Sequence, residues 1–131
     1  MVKLGGLDSN EAKLVEIENL LIGACGTSYY ASLYGQYLMR LFGCFKTVEV
    51  KIASEITKED FPLSKGGLLS VSQSGETTDL LRPFKEAGEL GLTRFNIVNN
   101  VESTLAREAK CGLFLNAGKE ISIASTKAFI C

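Results

Sequence analysis

The chain has 131 residues, 46% of them hydrophobic and 22% charged, with a formal net charge of −1. That length makes one domain, able to bury a core without disulfide staples, and the balanced charge excludes the basic excess on which nucleic-acid binding rests. Histidine is absent altogether, which removes Ser-His-Asp and Cys-His catalysis and His-based metal sites together. Cys25, Cys44, Cys111 and Cys131 lack Cys-x-x-Cys spacing, so they read as packing or incidental thiols, with neither a structural zinc nor a disulfide framework. No apolar run reaches membrane-spanning length and the first residues lack the layout of a signal peptide, so no membrane partner and a cytoplasmic setting are expected.

In chain order, Asp8 stands three residues before Glu11, resembling a capping box, and predicts a short leading helix over residues 8–18. Residues 19–25 are an apolar run of strand length, ended by Gly26, Thr27 and Ser28. Residues 29–42 form a helix carrying four tyrosines and a single charge, Arg40. It is apolar around most of its circumference, so the sheet should cover one side and a partner subunit or further domain another; the alternative is that the Tyr hydroxyls simply reach solvent. Residues 46–52 alternate as an edge strand does, and residues 57–66 are a loop containing Pro62 and a possible helical turn.

Residues 67–77, Gly-Leu-Leu-Ser-Val-Ser-Gln-Ser-Gly-Glu-Thr, organise the rest. An apolar strand stops at a cluster of hydroxyls, and a helix begins near Thr77. A helix start leaves unpaired N–H groups and the positive end of a dipole, which seat a phosphate or carboxylate. Gly75 removes the Cβ that would hold the backbone off a ligand. Ser and Thr at such a turn also serve as ordinary helix caps. The recurrence of the same device at Gly26, Thr27 and Ser28 favours a shared anion site, because open α/β sheets bind ligands at the carboxyl ends of their strands.

The following helix, residues 79–91, contains Pro83, which predicts a kink near Leu80 or a rearranged first turn. A strand over 93–99, a helix over 103–109, a strand over 111–116 and a helix start after residue 127 complete the chain. Alternating strands and helices predict a three-layer α/β/α sandwich on a five-stranded parallel sheet. Neither Gly-x-Gly-x-x-Gly nor a Walker motif is present, so a ligand smaller than a nucleotide fits better. The hydroxyl-rich turns hold no Arg or Lys, implying neutral donors and helix dipoles rather than a charge clamp.

Cys25-Gly-Thr-Ser28, Ser72-Gln-Ser-Gly-Glu-Thr77 and Glu120-Ile-Ser-Ile-Ala-Ser-Thr-Lys127 together resemble the sugar isomerase (SIS) domain family. Their order and spacing look most like the first of two SIS domains in the glutamine–fructose-6-phosphate aminotransferase (isomerising) family, across nearly the whole chain. The resemblance implies a flavodoxin-like SIS fold, no cofactor, and a sugar phosphate, fructose 6-phosphate or glucosamine 6-phosphate, as ligand. Ser72, Gln73, Ser74 and Thr77 then look like the phosphate cradle with Thr27 and Ser28 beside it, while Thr27, Ile123 and Ser125 are implied contacts to the sugar. Glu76 would be structural, directed away from the phosphate, and Lys127 either neutralises ligand charge or is a solvated or packing lysine. Tyr30 stands where the family commonly has histidine, and Pro83 interrupts a helix that is normally regular.

The family's acid/base pair and reactive lysine belong to its second SIS domain and tail, so no catalytic residue is expected in residues 1–131. The expectation is one SIS domain out of a longer multidomain enzyme, whose partners are a second SIS domain, a glutaminase domain and another copy of itself. A stand-alone SIS sensor, or a sugar-phosphate isomerase or deglycase assembled by oligomerisation, is the alternative.

Overall fold

Two stretches of the sequence are apolar on both faces, and the structure puts them in the interior of the sheet. In the computed structural model, which describes residues 4–131, β1 (Asn19–Ala24) and β3 (Gly66–Ser72) are buried along nearly their whole length. β2 (Thr47–Ile52) alternates and lies at one edge; β4 (Thr93–Val98) and the short β5 (Gly112–Phe114) complete the other side. All four pairings are parallel, in the order β2-β1-β3-β4-β5. This is the five-stranded parallel sheet of a flavodoxin-like fold, whose strand order reverses between β1 and β3.

Helices cover both faces. On one side α4 (Thr78–Glu89) buries Leu80, Pro83, Phe84 and Ala87, the i, i+3, i+4, i+7 stripe that a core-facing helix presents. These pack with Leu21, Leu68 and Val98 from the strands and Leu105 from α5 (Thr104–Ala109). Burial of each large apolar side chain of this kind contributes about 1.5–3 kcal/mol. On the opposite face Leu20, Ile22, Val48 and Leu69 form a second cluster beneath α3 (Gly26–Leu41), with Met39 of α3 packed against it. The last element, α6 (Lys127–Ile130), sits beside α3.

Three expectations change. The leading segment is two single turns, α1 (Gly5–Asp8) and α2 (Glu11–Leu14), rather than one helix. Asp8 ends the first turn, and the cap position of the second is Asn10, whose amide instead donates to Gly6 O at 3.0 Å. The Asp8–Glu11 capping box therefore does not form. Pro83 does not break α4, which runs unbroken from Thr78; Leu80 and Leu81 both donate to Thr77 O, at 3.0 and 3.3 Å, tightening the first turn. The strand expected over residues 111–116 is only Gly112–Phe114, because Asn116 adopts a left-handed φ of 53° and turns the chain away.

α3 shows the mixed surface that its composition implies. Tyr30, Tyr34, Tyr37 and Leu41 follow one another at helical spacing and are all more than 60% exposed, a stripe uncovered in the single chain. The only charge on the helix, Arg40, is turned sideways, its guanidinium donating to Val48 O.

Candidate functional site

The carboxyl ends of β1 and β3 lie next to each other at the point where strand order reverses, and both lead directly into helices. Ala24 is paired with Val71 in the register, so residues 25–28 and 72–77 emerge side by side. A cavity of about 490 Å³ opens between them, closed on a third side by residues 122–125. Thr27, Ser28, Ser72, Gln73, Ser74, Thr77, Ile123 and Ser125 all line it, so every site residue expected from the sequence is brought to one place. Tyr30, Ser122 and Ala124 add to the wall.

The two helix starts facing this cavity are uncapped. Cys25 and Thr77 occupy the cap positions of α3 and α4, and neither makes a side-chain cap bond. The Thr77 hydroxyl is held instead by the Ser72 hydroxyl at 3.1 Å. The neighbouring α5 is treated differently: Ser103 Oγ accepts from Ala106 N, Gly75 O from Leu105 N, and the Glu76 carboxylate from Thr104 N at 2.7 Å. Local capping therefore accounts for Ser103 but not for the hydroxyls at the starts of α3 and α4. Their N–H groups and dipoles remain directed at the cavity, which suits an anion.

Within the turn itself, Ser72 Oγ accepts from Gly75 N at 3.0 Å and Ser74 Oγ from Glu76 N at 3.2 Å. Gly75 has φ +68°, and a Cβ there would lie 2.1 Å from Ser103 Oγ. The glycine is thus needed for backbone conformation and for close approach to α5, not for access of a ligand as the motif alone suggested. Glu76 is spent on α5, where the Thr104 bond draws its pKa below the usual carboxylate value. It is turned away from the cavity.

The floor is tied across three strands. Gln73 O accepts from Asn99 N at 3.1 Å, and the Asn99 side chain both accepts from Ala117 N and donates to Gly118 O. Gln73 Nε2 in turn donates to Glu120 O at 3.4 Å. Asn99 carried no sequence signal beyond lying at a strand end, and its role depends on a return of the chain that no local spacing reveals.

No Lys, Arg, Asp or Glu lines the cavity. Lys127 does not neutralise ligand charge, because its ammonium donates to Lys119 O at 3.0 Å. Cys25 borders the cavity, but burial pushes its thiol pKa up, the opposite of what a nucleophilic thiolate needs. The arrangement can hold an anion with hydroxyls, amides and two helix dipoles; it has no acid/base pair of its own. Among the described residues no group of acidic and Cys side chains is placed to hold a metal ion, and no helix is long and apolar enough to cross a membrane.

Comparison with known proteins agrees with this geometry. The chain is 41% identical over 129 residues to the glutamine–fructose-6-phosphate aminotransferase (isomerising) of Chlorobaculum tepidum, a match covering 98% of this chain and 21% of that protein. The protein of the same name from Clostridium acetobutylicum is 40% identical, with the same coverage of 98% and 21%. The chain thus spans about a fifth of the length of the curated relatives it matches. Among solved structures, the C-terminal domain of glucosamine-fructose-6-phosphate aminotransferase from Francisella tularensis superposes with a TM-score of 0.85 at 34% identity, covering 94% of this chain and 35% of that one. The sequence profile of the SIS domain matches residues 13–130, and the chain belongs to the SIS domain family.

Proposed function

We propose that the chain is the sugar-phosphate-holding domain of a glutamine–fructose-6-phosphate aminotransferase, the enzyme that makes glucosamine 6-phosphate from fructose 6-phosphate and glutamine in amino-sugar biosynthesis. The observation that carries this reading is the convergence of two uncapped helix starts, with Thr27, Ser28, Ser72, Ser74 and Thr77, on one uncharged cavity. The phosphate sits against the starts of α3 and α4, and the sugar extends toward Ile123 and Ser125. Identity of about 40% with aminotransferases supports the choice of fructose 6-phosphate over other phosphorylated sugars.

Holding and chemistry are divided in this reading. Ring opening and proton transfer between sugar carbons need acid/base groups, and amine transfer needs ammonia from a glutaminase. The cavity supplies none of these, so the purified 131-residue chain binds the sugar phosphate without forming glucosamine 6-phosphate from either glutamine or ammonia. The groups come from a second SIS domain and a glutaminase domain acting with it in the cytoplasm. The exposed stripe of Tyr30, Tyr34, Tyr37 and Leu41 is the surface through which such a domain or a second copy packs.

Calorimetry tests the binding claim. Fructose 6-phosphate should bind and unphosphorylated fructose should not, and joint replacement of Ser72, Ser74 and Thr77 by alanine should abolish the difference. Equal affinity for the two sugars, or an unaltered triple variant, would remove the basis of the reading.

A further inference from the structure

Residues 121–125 form the wall of the cavity that belongs to no strand or helix. Ser122, Ile123, Ala124 and Ser125 all line it, yet Ile121 and Ile123 are 84% and 109% exposed. Apolar burial therefore does not hold this bend in place. What holds it is one carboxylate. Glu120 Oε1 accepts from Thr126 N at 2.8 Å, Thr126 Oγ1 at 2.8 Å and Lys127 N at 3.2 Å. Its Oε2 accepts from Ser125 Oγ at 3.1 Å and Ala128 N at 3.4 Å. The residue thus reaches forward over the whole bend and closes it into a ring. Its own carbonyl meanwhile accepts from Gln73 Nε2, which joins the ring to the turn after β3.

Such charge-assisted bonds, several to one acceptor, are about twice as strong as neutral ones. The carboxylate does not line the cavity, so it does not touch a ligand there. We propose that Glu120 is a positioning residue for sugar-phosphate binding: it fixes the 121–125 bend against the β3 turn so that Ser125 and Ile123 face the sugar. This rests on the assignment of the cavity as a sugar-phosphate site. It makes Ser125 a residue with two duties, since its hydroxyl hydrogen is given to Glu120 and its lone pairs remain for a ligand hydroxyl.

The chain with Glu120→Ala, Glu120→Gln and no substitution should be compared by fructose 6-phosphate calorimetry and by amide hydrogen exchange. The Ala variant should bind at least about tenfold more weakly and lose protection at residues 125–128, while protection in β3 and α4 is unchanged. The Gln variant keeps an oxygen for Thr126, and the Ser125 hydroxyl can turn to accept from its new amide, so affinity should recover to within about threefold of the parent. Normal affinity and normal exchange in the Ala variant would overturn the proposal, as would a Gln variant no better than Ala. If the parent chain itself fails to bind, the cavity assignment fails, and the exchange data still decide whether Glu120 holds the bend.

Discussion

Replacing Gly75 by alanine strikes the turn at its most constrained point, and the structure gives the size of the effect. At φ +68° an alanine pays the left-handed penalty, about 1–2 kcal/mol. Its Cβ would also lie 2.1 Å from Ser103 Oγ and 2.4 Å from Ser103 Cβ, so Ser103 must move and its cap on α5 is lost. Loss of an N-cap costs about 0.5–2 kcal/mol, and the combined loss should be about 2–4 kcal/mol. Urea unfolding of the parent and the variant, with the midpoint and slope fitted separately, measures it. Adding Ser103→Gly removes the collision, and glycine at a cap costs only a few tenths of a kcal/mol. The double variant should therefore be more stable than Gly75→Ala alone, an unusual sign for the removal of a cap. A loss below about 0.5 kcal/mol for Gly75→Ala, the level of a surface change, would refute the reasoning. So would a double variant less stable than the single one.

Two further outcomes follow from buried and ionised groups. Ser70 Oγ is fully buried in β3 without a hydrogen-bond partner, so Ser70→Ala should leave stability unchanged or raise it by up to about 1 kcal/mol, read from the same urea transitions. The Glu120 pKa is lowered to about 2, chiefly by the Thr126 N–H, so its folded form is favoured when ionised. The stabilisation is complete above the ordinary value of 4.5 and is lost as pH falls toward 2. Between pH 4.5 and 2 the melting temperature of the parent should therefore fall more steeply than that of Glu120→Gln, and parallel curves would contradict the assigned bonds.

Much of the architecture was legible because burial leaves a strong mark on composition. Leu20, Leu21 and Ile22 in succession announce a strand covered on both sides, and Leu80, Phe84 and Ala87 announce the core face of α4 despite Pro83. The hydroxyl turns after β1 and β3 were legible from their repetition and from the resemblance of three motifs to one family. Elements set by distant contacts were not. Asp8 and Glu11 have the spacing of a cap, but the segment folds as two separate turns, with Asn10 bonded to Gly6 and to Lys110 O across the chain. Gly75 looked like a concession to a ligand because Ser103, the residue that excludes its side chain, lies 28 positions later. Glu120 stood inside a quoted motif, yet nothing in its local spacing distinguishes a carboxylate that closes a bend from one that faces water. The exposure of the α3 tyrosines follows from which side of the helix the sheet covers, and composition alone left that open.

The central claim, that the uncapped starts of α3 and α4 seat the phosphate of a sugar, is tested most directly by titrating the labelled chain with fructose 6-phosphate and following backbone amide resonances. The account predicts shifts concentrated at Gly26, Thr27, Ser28, Ser74, Thr77 and Thr78, reproduced in part by inorganic phosphate and absent with fructose. A lysine-rich cavity of about 390 Å³, bordered by Lys13, Lys58 and Lys65, provides the competing destination for an anion. Shifts confined to that cavity, or shifts around Ser72–Thr77 that fructose produces equally well, would contradict it.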